Sequence, residues 1–212
     1  MPDLSLESQF SGSVIGIDEA GRGPWAGPVT IAAIWLNPEA YASLPSGLDD
    51  SKKLSAAKRA SFYEYLRHPP HLHALVSVPV EVIDRDGILK ATLAGMACAA
   101  DNLVGILRQN GIAETVQLLI DGNQMPKTAF PAQTVIKGDQ QSLSIAGASI
   151  IAKHSRDQEM LRLAREFPGY GWDTNMGYGT AAHQQGLRDL GVTQHHRRSF
   201  APVRKRIEAD TD

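Results

Sequence analysis

The chain has 212 residues, 42% of them hydrophobic and 21% charged, with a formal net charge of −2. That balance belongs to a single globular domain and excludes disordered, collagen-like and coiled-coil chains; roughly 70% of the unfolded surface is burial-competent at this length, so a core needs no covalent staples. One cysteine, Cys98, has no internal partner, no apolar run approaches the roughly 18 residues of a membrane span, and the start lacks a secretory leader pattern, so the expected location is the cytoplasm.

The apolar, β-branched runs at 13–18 and 29–36 read as strands joined by the Gly/Pro-rich turn 21–28, and 73–80 reads as a third. Over 88–109 the residues Leu89, Leu93, Met96, Ala100, Leu103, Val104 and Leu107 recur at helical spacing, and Asn110-Gly111 ends the run. Residues 116–120 form a buried strand ending at Asp121-Gly122, and 134–136 form another before Lys137-Gly138-Asp139. From 142 to 167 the pattern is helical, with Ala146, Gly147, Ala148 and Ser149 allowing close backbone approach; a helix over 181–190 and a basic tail follow. This order predicts an α/β mixed sheet with helices on its faces, in which ligands collect at the carboxyl ends of strands.

Charge is unevenly placed. Residues 1–50 hold one basic residue, Arg22, against seven acidic ones, a balance of −6 that leaves +4 for the rest; residues 188–206 carry six Lys/Arg against one Asp. Such a tail is either a track for a phosphate backbone or a solvated helix end.

Four carboxylates stand out: Asp18 and Glu19 after one apolar strand, Asp121 after another, and Asp139 in the turn beyond a third. A carboxylate following a buried strand is costly to desolvate without a cation or donors, and an all-oxygen set without a Cys/His cluster selects Mg²⁺ or Mn²⁺ over zinc. Successive strand residues point to opposite faces, so Asp18 and Glu19 share a site only if the strand twists or ends there. Gly21-Arg22-Gly23 lets the backbone approach a ligand closely. Cys98, Trp25, Trp35 and Trp172 are expected in the core. His154, His183, His195 and His196 are packing or local hydrogen-bonding residues without assigned chemistry. Asp157, one turn past Lys153, is either a support behind the site or a helix-surface partner of Arg156 or Arg162.

The stretch from Gly16 through Asp18-Glu19-Ala20-Gly21-Arg22-Gly23-Pro24 to Val29 resembles the opening motif of bacterial ribonuclease HII. Further similar motifs follow in order: Asp50-Ser51-Lys52-Lys53-Leu54, Ile120-Asp121-Gly122, Lys137-Gly138-Asp139, Ala148-Ser149-Ile150-Ile151-Ala152-Lys153, Gly177-Tyr178-Gly179-Thr180 and His196-Arg197-Arg198-Ser199-Phe200. The resemblance implies a ribonuclease H-like fold, a five-stranded mixed sheet flanked by helices, in one domain over 1–212 whose stretch from about 178 is a basic helical extension. It implies hydrolysis of the RNA strand of RNA/DNA hybrids and nicking of duplex DNA 5′ of an embedded single ribonucleotide, the start of ribonucleotide excision repair. Asp18, Glu19, Asp121 and Asp139 would be the metal-binding catalytic carboxylates. Gly21, Arg22 and Gly23 would touch the 2′-hydroxyl, the group that separates RNA from DNA. Tyr178 would pack on the neighbouring deoxynucleotide, and Lys52, Lys53, Lys153, Arg197 and Arg198 would contact phosphates.

The chain departs from the usual pattern at Trp25, Gly147 and Met176, the last removing a common lysine. About thirteen residues precede the first strand, too few for the added N-terminal domain of the related ribonuclease HIII. The tail, residues 207–212, lacks the Gln-led, paired-aromatic motif of a sliding-clamp peptide, and a monomer acting without a membrane is expected.

Overall fold

The computed structural model describes residues 1–112 and 115–209, leaving the last three positions of the tail outside the described residues. In chain order the elements are β1 (Ser13–Ala20), β2 (Val29–Trp35), α1 (Ala56–Leu66), β3 (Leu72–Val78), α2 (Val80–Asp86), α3 (Ile88–Gln109), β4 (Val116–Asp121), β5 (Ala132–Val135), α4 (Leu143–Glu166), α5 (Trp172–Asn175), α6 (Ala181–Leu190) and α7 (Ala201–Ala209). The strands form one sheet in the order β3-β2-β1-β4-β5. β1 is antiparallel to β2 and parallel to β4, and β4 is parallel to β5.

Strand alternation divides the core. Ile15 and Ile17 of β1 join Ile31 and Ala33 of β2 against Met96, Ala100, Leu103 and Leu107 of α3, while Ala32 and Ile34 face Ala148, Ile151 and Ala152 of α4 together with Phe62 and Leu66 of α1. The central strands are buried on both faces, hence their near-continuous apolar sequence. α3 and α6 match the predicted ranges. Residues 79–86 depart from expectation: Pro79 ends β3, and Val80 begins a helix rather than finishing a strand. Cys98 is exposed rather than buried, because it lies on the solvent side of α3. Trp35 and Trp172 are buried, whereas Trp25 is only partly so.

α4 is anchored at its start. Ser142 caps it by accepting the Ile145 N–H at 3.1 Å, and the buried Glu7 carboxylate accepts from Ser142 Oγ at 2.6 Å, the Ser144 N–H at 2.8 Å and Ser144 Oγ at 2.7 Å. The anchored turn lies against Gly16 of β1, where a Cβ would come within 2.1 Å of the Ser144 carbonyl carbon. The absence of a side chain at Gly16 therefore sets the spacing between α4 and the strand that carries Asp18 and Glu19. Gly16→Ala is expected to cost about 3 kcal/mol through forced separation of strand and helix, read as a lowered urea midpoint.

Candidate active site

Parallel pairing of β1 and β4 puts Ile17 opposite Ile120, so that the next residues, Asp18 and Asp121, stand side by side at the carboxyl ends of the two central strands. Asp18 is 5% exposed, and its Oδ1 accepts the Glu19 N–H at 2.7 Å. β1 ends at Ala20, one residue beyond Glu19, which meets the condition for both to serve one site. Asp121 Oδ1 accepts the Gly138 N–H at 2.7 Å, tying β4 to the turn that carries Asp139. Asp139 is buried beside Asp50, a carboxylate that reading by motif left without a role. Asp50 in turn accepts the Lys52 N–H at 2.9 Å and faces the Gln140 amide at 3.4 Å.

The electrostatics of this cluster are unbalanced. Burial first, then the charges of Glu19, Asp121 and Asp139, push the Asp18 carboxyl well above the usual carboxylate range. Asp139 is pushed up to about 6 by burial, Asp50 and Asp121. Glu19 is raised by burial and by Asp121 despite the opposing charges of Arg22, at 3.7 Å, and Lys52. Burial opposes the charge on Lys52, but Asp18, Asp50, Asp139 and Asp121 together hold its ammonium above the ordinary value. Two cations thus answer five carboxylates. An all-oxygen set short of positive charge suits a hard divalent cation. Among the described residues no three His, Cys, Asp or Glu side chains form a ready-made metal cage. An ion at this site would draw its remaining ligands from water and substrate oxygens, the usual state of a Mg²⁺ site.

Beside the carboxylates lies a cleft of about 220 Å³ lined by Glu19, residues 20–23, Ser51, Lys52, Ser149, Lys153, Arg156 and Tyr178. Gly21, Arg22, Gly23 and Tyr178 are therefore brought together, with the half-exposed Tyr178 ring 3.3 Å from where a Cβ on Gly23 would lie. Lys52 and Lys153 also line the cleft. Lys153 is bound to the Asp157 carboxylate at 2.7 Å, and Arg59 reaches the other oxygen of Asp157 at 3.3 Å, so Asp157 supports the cleft rather than pairing with Arg156 or Arg162. Lys53 and Arg198 are exposed and do not line it.

Arg197 requires correction. It is fully buried, and its guanidinium donates to the carbonyls of Gly27, Arg22, Gly21 and Pro28, leaving it no face for a phosphate. Arg156 is likewise buried, donating to the carbonyls of Pro28, Met176 and Ala26. No periodicity signals an arginine whose partners are backbone carbonyls far away in sequence.

The segment bearing Tyr178 is held by a buried histidine pair. The Tyr178 carbonyl faces His183 Nδ1 at 3.0 Å, which makes Nδ1 the protonated nitrogen, and His183 Nε2 is left to accept from Trp172 Nε1 at 3.1 Å and from His196 Nε2 at 3.0 Å. His196 Nδ1 accepts the Thr193 N–H at 3.0 Å. Every donor meets an acceptor only while both rings are neutral. His154 stacks on Tyr63 at 4.1 Å, a packing role.

The ribonuclease HII family profile matches residues 15–203. The chain is 48% identical over 205 residues to the ribonuclease HII of Jannaschia sp. (strain CCS1), covering 96% of this chain and 97% of that one. It is 47% identical over 211 residues to that of Gluconobacter oxydans (strain 621H), covering 99% and 98%. Among solved structures, the fold is similar to ribonuclease H2 from Pyrococcus horikoshii OT3, with a TM-score of 0.73 at 23% identity over 94% of this chain and 99% of that one. It is also similar to the RNase HII of Archaeoglobus fulgidus, solved with PCNA, with a TM-score of 0.65 at 26% identity over 87% and 93%.

Burial, then the neighbouring His183 and His195, push His196 down to about 3. A histidine held neutral in the fold takes up its proton only on unfolding, so its contribution is complete above pH 6.5 and falls as pH drops toward 3, by about 1.4 kcal/mol per pH unit. Between pH 7.5 and 5 the wild type is expected to lose about 2 kcal/mol in urea unfolding from this one residue, and His196→Asn to lose correspondingly less.

Proposed function

The chain belongs to the ribonuclease HII family and is a divalent-metal-dependent ribonuclease H acting on RNA/DNA hybrids, and from that premise we propose that it also nicks duplex DNA on the 5′ side of an embedded single ribonucleotide, leaving 3′-hydroxyl and 5′-phosphate ends. The observation that carries this reading is the adjacency of two unlike surfaces. The buried carboxylates Asp18 and Asp139 and the half-buried Glu19 and Asp121 adjoin a cleft whose wall is the backbone of residues 21–23 and whose rim is Tyr178.

Asp18, Glu19, Asp121 and Asp139 would hold Mg²⁺ or Mn²⁺; a pair of such ions supplies Lewis acidity for in-line attack of water on phosphorus and for departure of the 3′-oxygen. The protein's own part is positional. The N–H groups near Gly21 and Gly23 approach the 2′-hydroxyl, which only a backbone without side chains permits. Tyr178 offers a ring to the adjacent deoxynucleotide, and Lys52 and Lys153 neutralise phosphates at the cleft. Residues 178–209 complete the same domain by carrying Tyr178 and the network behind it. Such an activity initiates ribonucleotide excision repair in the cytoplasm. PCNA belongs to the archaeal relative's complex, and no partner besides nucleic acid is assigned to this chain.

The test is nicking of a labelled DNA duplex containing one ribonucleotide, with Mg²⁺, Mn²⁺ or chelator. The expected result is a metal-dependent cut 5′ of the ribonucleotide, reduced roughly 10²–10³-fold or more in Asp18→Asn. Cutting only of long hybrids would assign a type 1-like specificity instead, and binding without turnover would leave a hybrid-binding module. Lys52→Ala should lower the slope of log affinity against log salt by about one, the signature of one lost phosphate contact.

A further inference from the structure

Two arginines are buried as deeply as the aliphatic core, Arg156 at 1% and Arg197 at 0% exposure, and among the described residues neither forms an ion pair with a carboxylate. A cation in such a place is retained only where its donors are met. Here they are met by main-chain carbonyls. Arg197 donates to Gly21 at 2.6 Å, Arg22 at 2.8 Å, Gly27 at 3.0 Å and Pro28 at 3.0 Å. Arg156 shares the Pro28 carbonyl at 3.0 Å and takes those of Met176 at 3.0 Å and Ala26 at 3.2 Å. Six of these seven bonds therefore end in one loop, residues 21–28.

A peptide unit is planar and trans, so its carbonyl and its N–H point in opposite directions. Drawing the Gly21 and Arg22 carbonyls inward onto Arg197 turns the N–H groups of Arg22 and Gly23 outward. Neither N–H has an acceptor among the described residues, and both residues line the cleft. A donor on the carbonyl also polarises the peptide and strengthens its N–H as a donor. Arg156 fixes the depth of the loop: Gly21 has φ +98°, and a Cβ there would stand 1.9 Å from Arg156 Nε. Through the Met176 carbonyl the same guanidinium holds the turn leading to Tyr178, and the Trp25 N–H, donating to the Gly177 carbonyl at 2.8 Å, joins the two segments.

We propose that Arg197 and Arg156 are positioning residues for the ribonucleotide: they pin the carbonyls of the 21–28 loop so that the Arg22 and Gly23 N–H groups face the 2′-oxygen at a fixed distance from Tyr178. The inference rests on the reading of residues 21–23 as the segment that meets the 2′-hydroxyl. A planar fork of five donors can span four carbonyls, whereas a lysine has three donors on a single point. Burial lowers Arg156 to about 10 and, together with the charge of Arg156, Arg197 to about 9, so both remain cations at neutral pH.

The experiment is a cycle between protein and substrate on the full chain. Wild type, Arg197→Lys and Arg156→Lys are each given duplex DNA carrying one ribonucleotide or its 2′-fluoro analogue, whose fluorine is a poor acceptor, with Mg²⁺. Wild type is expected to cut the fluoro substrate far more slowly, and in either variant that penalty should shrink by about tenfold or more, with kcat affected, KM little changed and the salt slope of binding unaltered. Penalties that simply multiply would show a general structural role and overturn the proposal. So would a lowered salt slope, which would make Arg197 a phosphate contact. If Arg197→Lys does not accumulate as folded protein, Arg156→Lys carries the same test. A wild type that cuts both substrates alike removes the underlying reading of residues 21–23, whereas wild-type discrimination with unchanged discrimination in the variants removes the arginine proposal alone.

Discussion

Asp18 and Asp121 stand side by side because β1 and β4 pair in parallel with Ile17 opposite Ile120, and burial then makes the charge of Asp18 expensive. The fold adds to that expense by bringing Glu19, Asp139 and Asp50 to the same place, with Lys52 and Arg22 in partial answer. A protein stable by only about 5–15 kcal/mol does not collect uncompensated carboxylates without a return, and the return proposed above is affinity for a hard cation. Much of the surrounding structure serves to hold that arrangement. Gly16 lets α4 lie directly on β1, Glu7 anchors the start of α4, and the Gly138 N–H locks Asp121 to the turn of Asp139.

The second charged feature has the opposite sign and is met differently. Arg156 and Arg197 lie within the junction between the 21–28 loop and the C-terminal segment, their charge spread over carbonyls rather than paired with acid. The chain's last quarter is in this way tied to its first: the Arg197 N–H donates to the Trp25 carbonyl, and the Gly27 N–H to that of His195. The His183–His196 pair continues the junction to the Tyr178 carbonyl. The anionic cluster thus adjoins one side of a single cleft, and the loop held by the cationic brace supplies the other.

Long-period features of this architecture are legible in the sequence. The run of α3 shows its helical period, α6 begins at a capping Thr180, and the apolar runs that stop at Asp18 and Asp121 announce both the sheet and the candidate site. α1 is not legible by period because it buries only Phe62 and Leu66, although Ser55 caps it. α2 hides behind an apolar run that continues from strand into helix, with Pro79 as the one local sign of the break. Arg197 is the instructive case: next to Arg198 in a basic tail it has the composition of a phosphate contact, yet its partners are carbonyls some 170 residues away. Motif order singled out carboxylates that the fold brings together, whereas the burial of individual side chains depends on contacts that no local pattern encodes.

The fold leaves the Asp18 cluster short of positive charge, and a divalent cation is expected to supply it. Thermal unfolding of wild type and Asp18→Asn at pH 7, each with and without Mn²⁺, tests this directly, since asparagine keeps the acceptor for the Glu19 N–H and removes only the charge. Without metal the variant should melt a few °C above wild type, because roughly 2–4 °C accompanies each kcal/mol in a chain of this size. Mn²⁺ should raise the wild type and barely move the variant. A variant that melts below wild type without metal, or a wild type indifferent to Mn²⁺, would contradict the account.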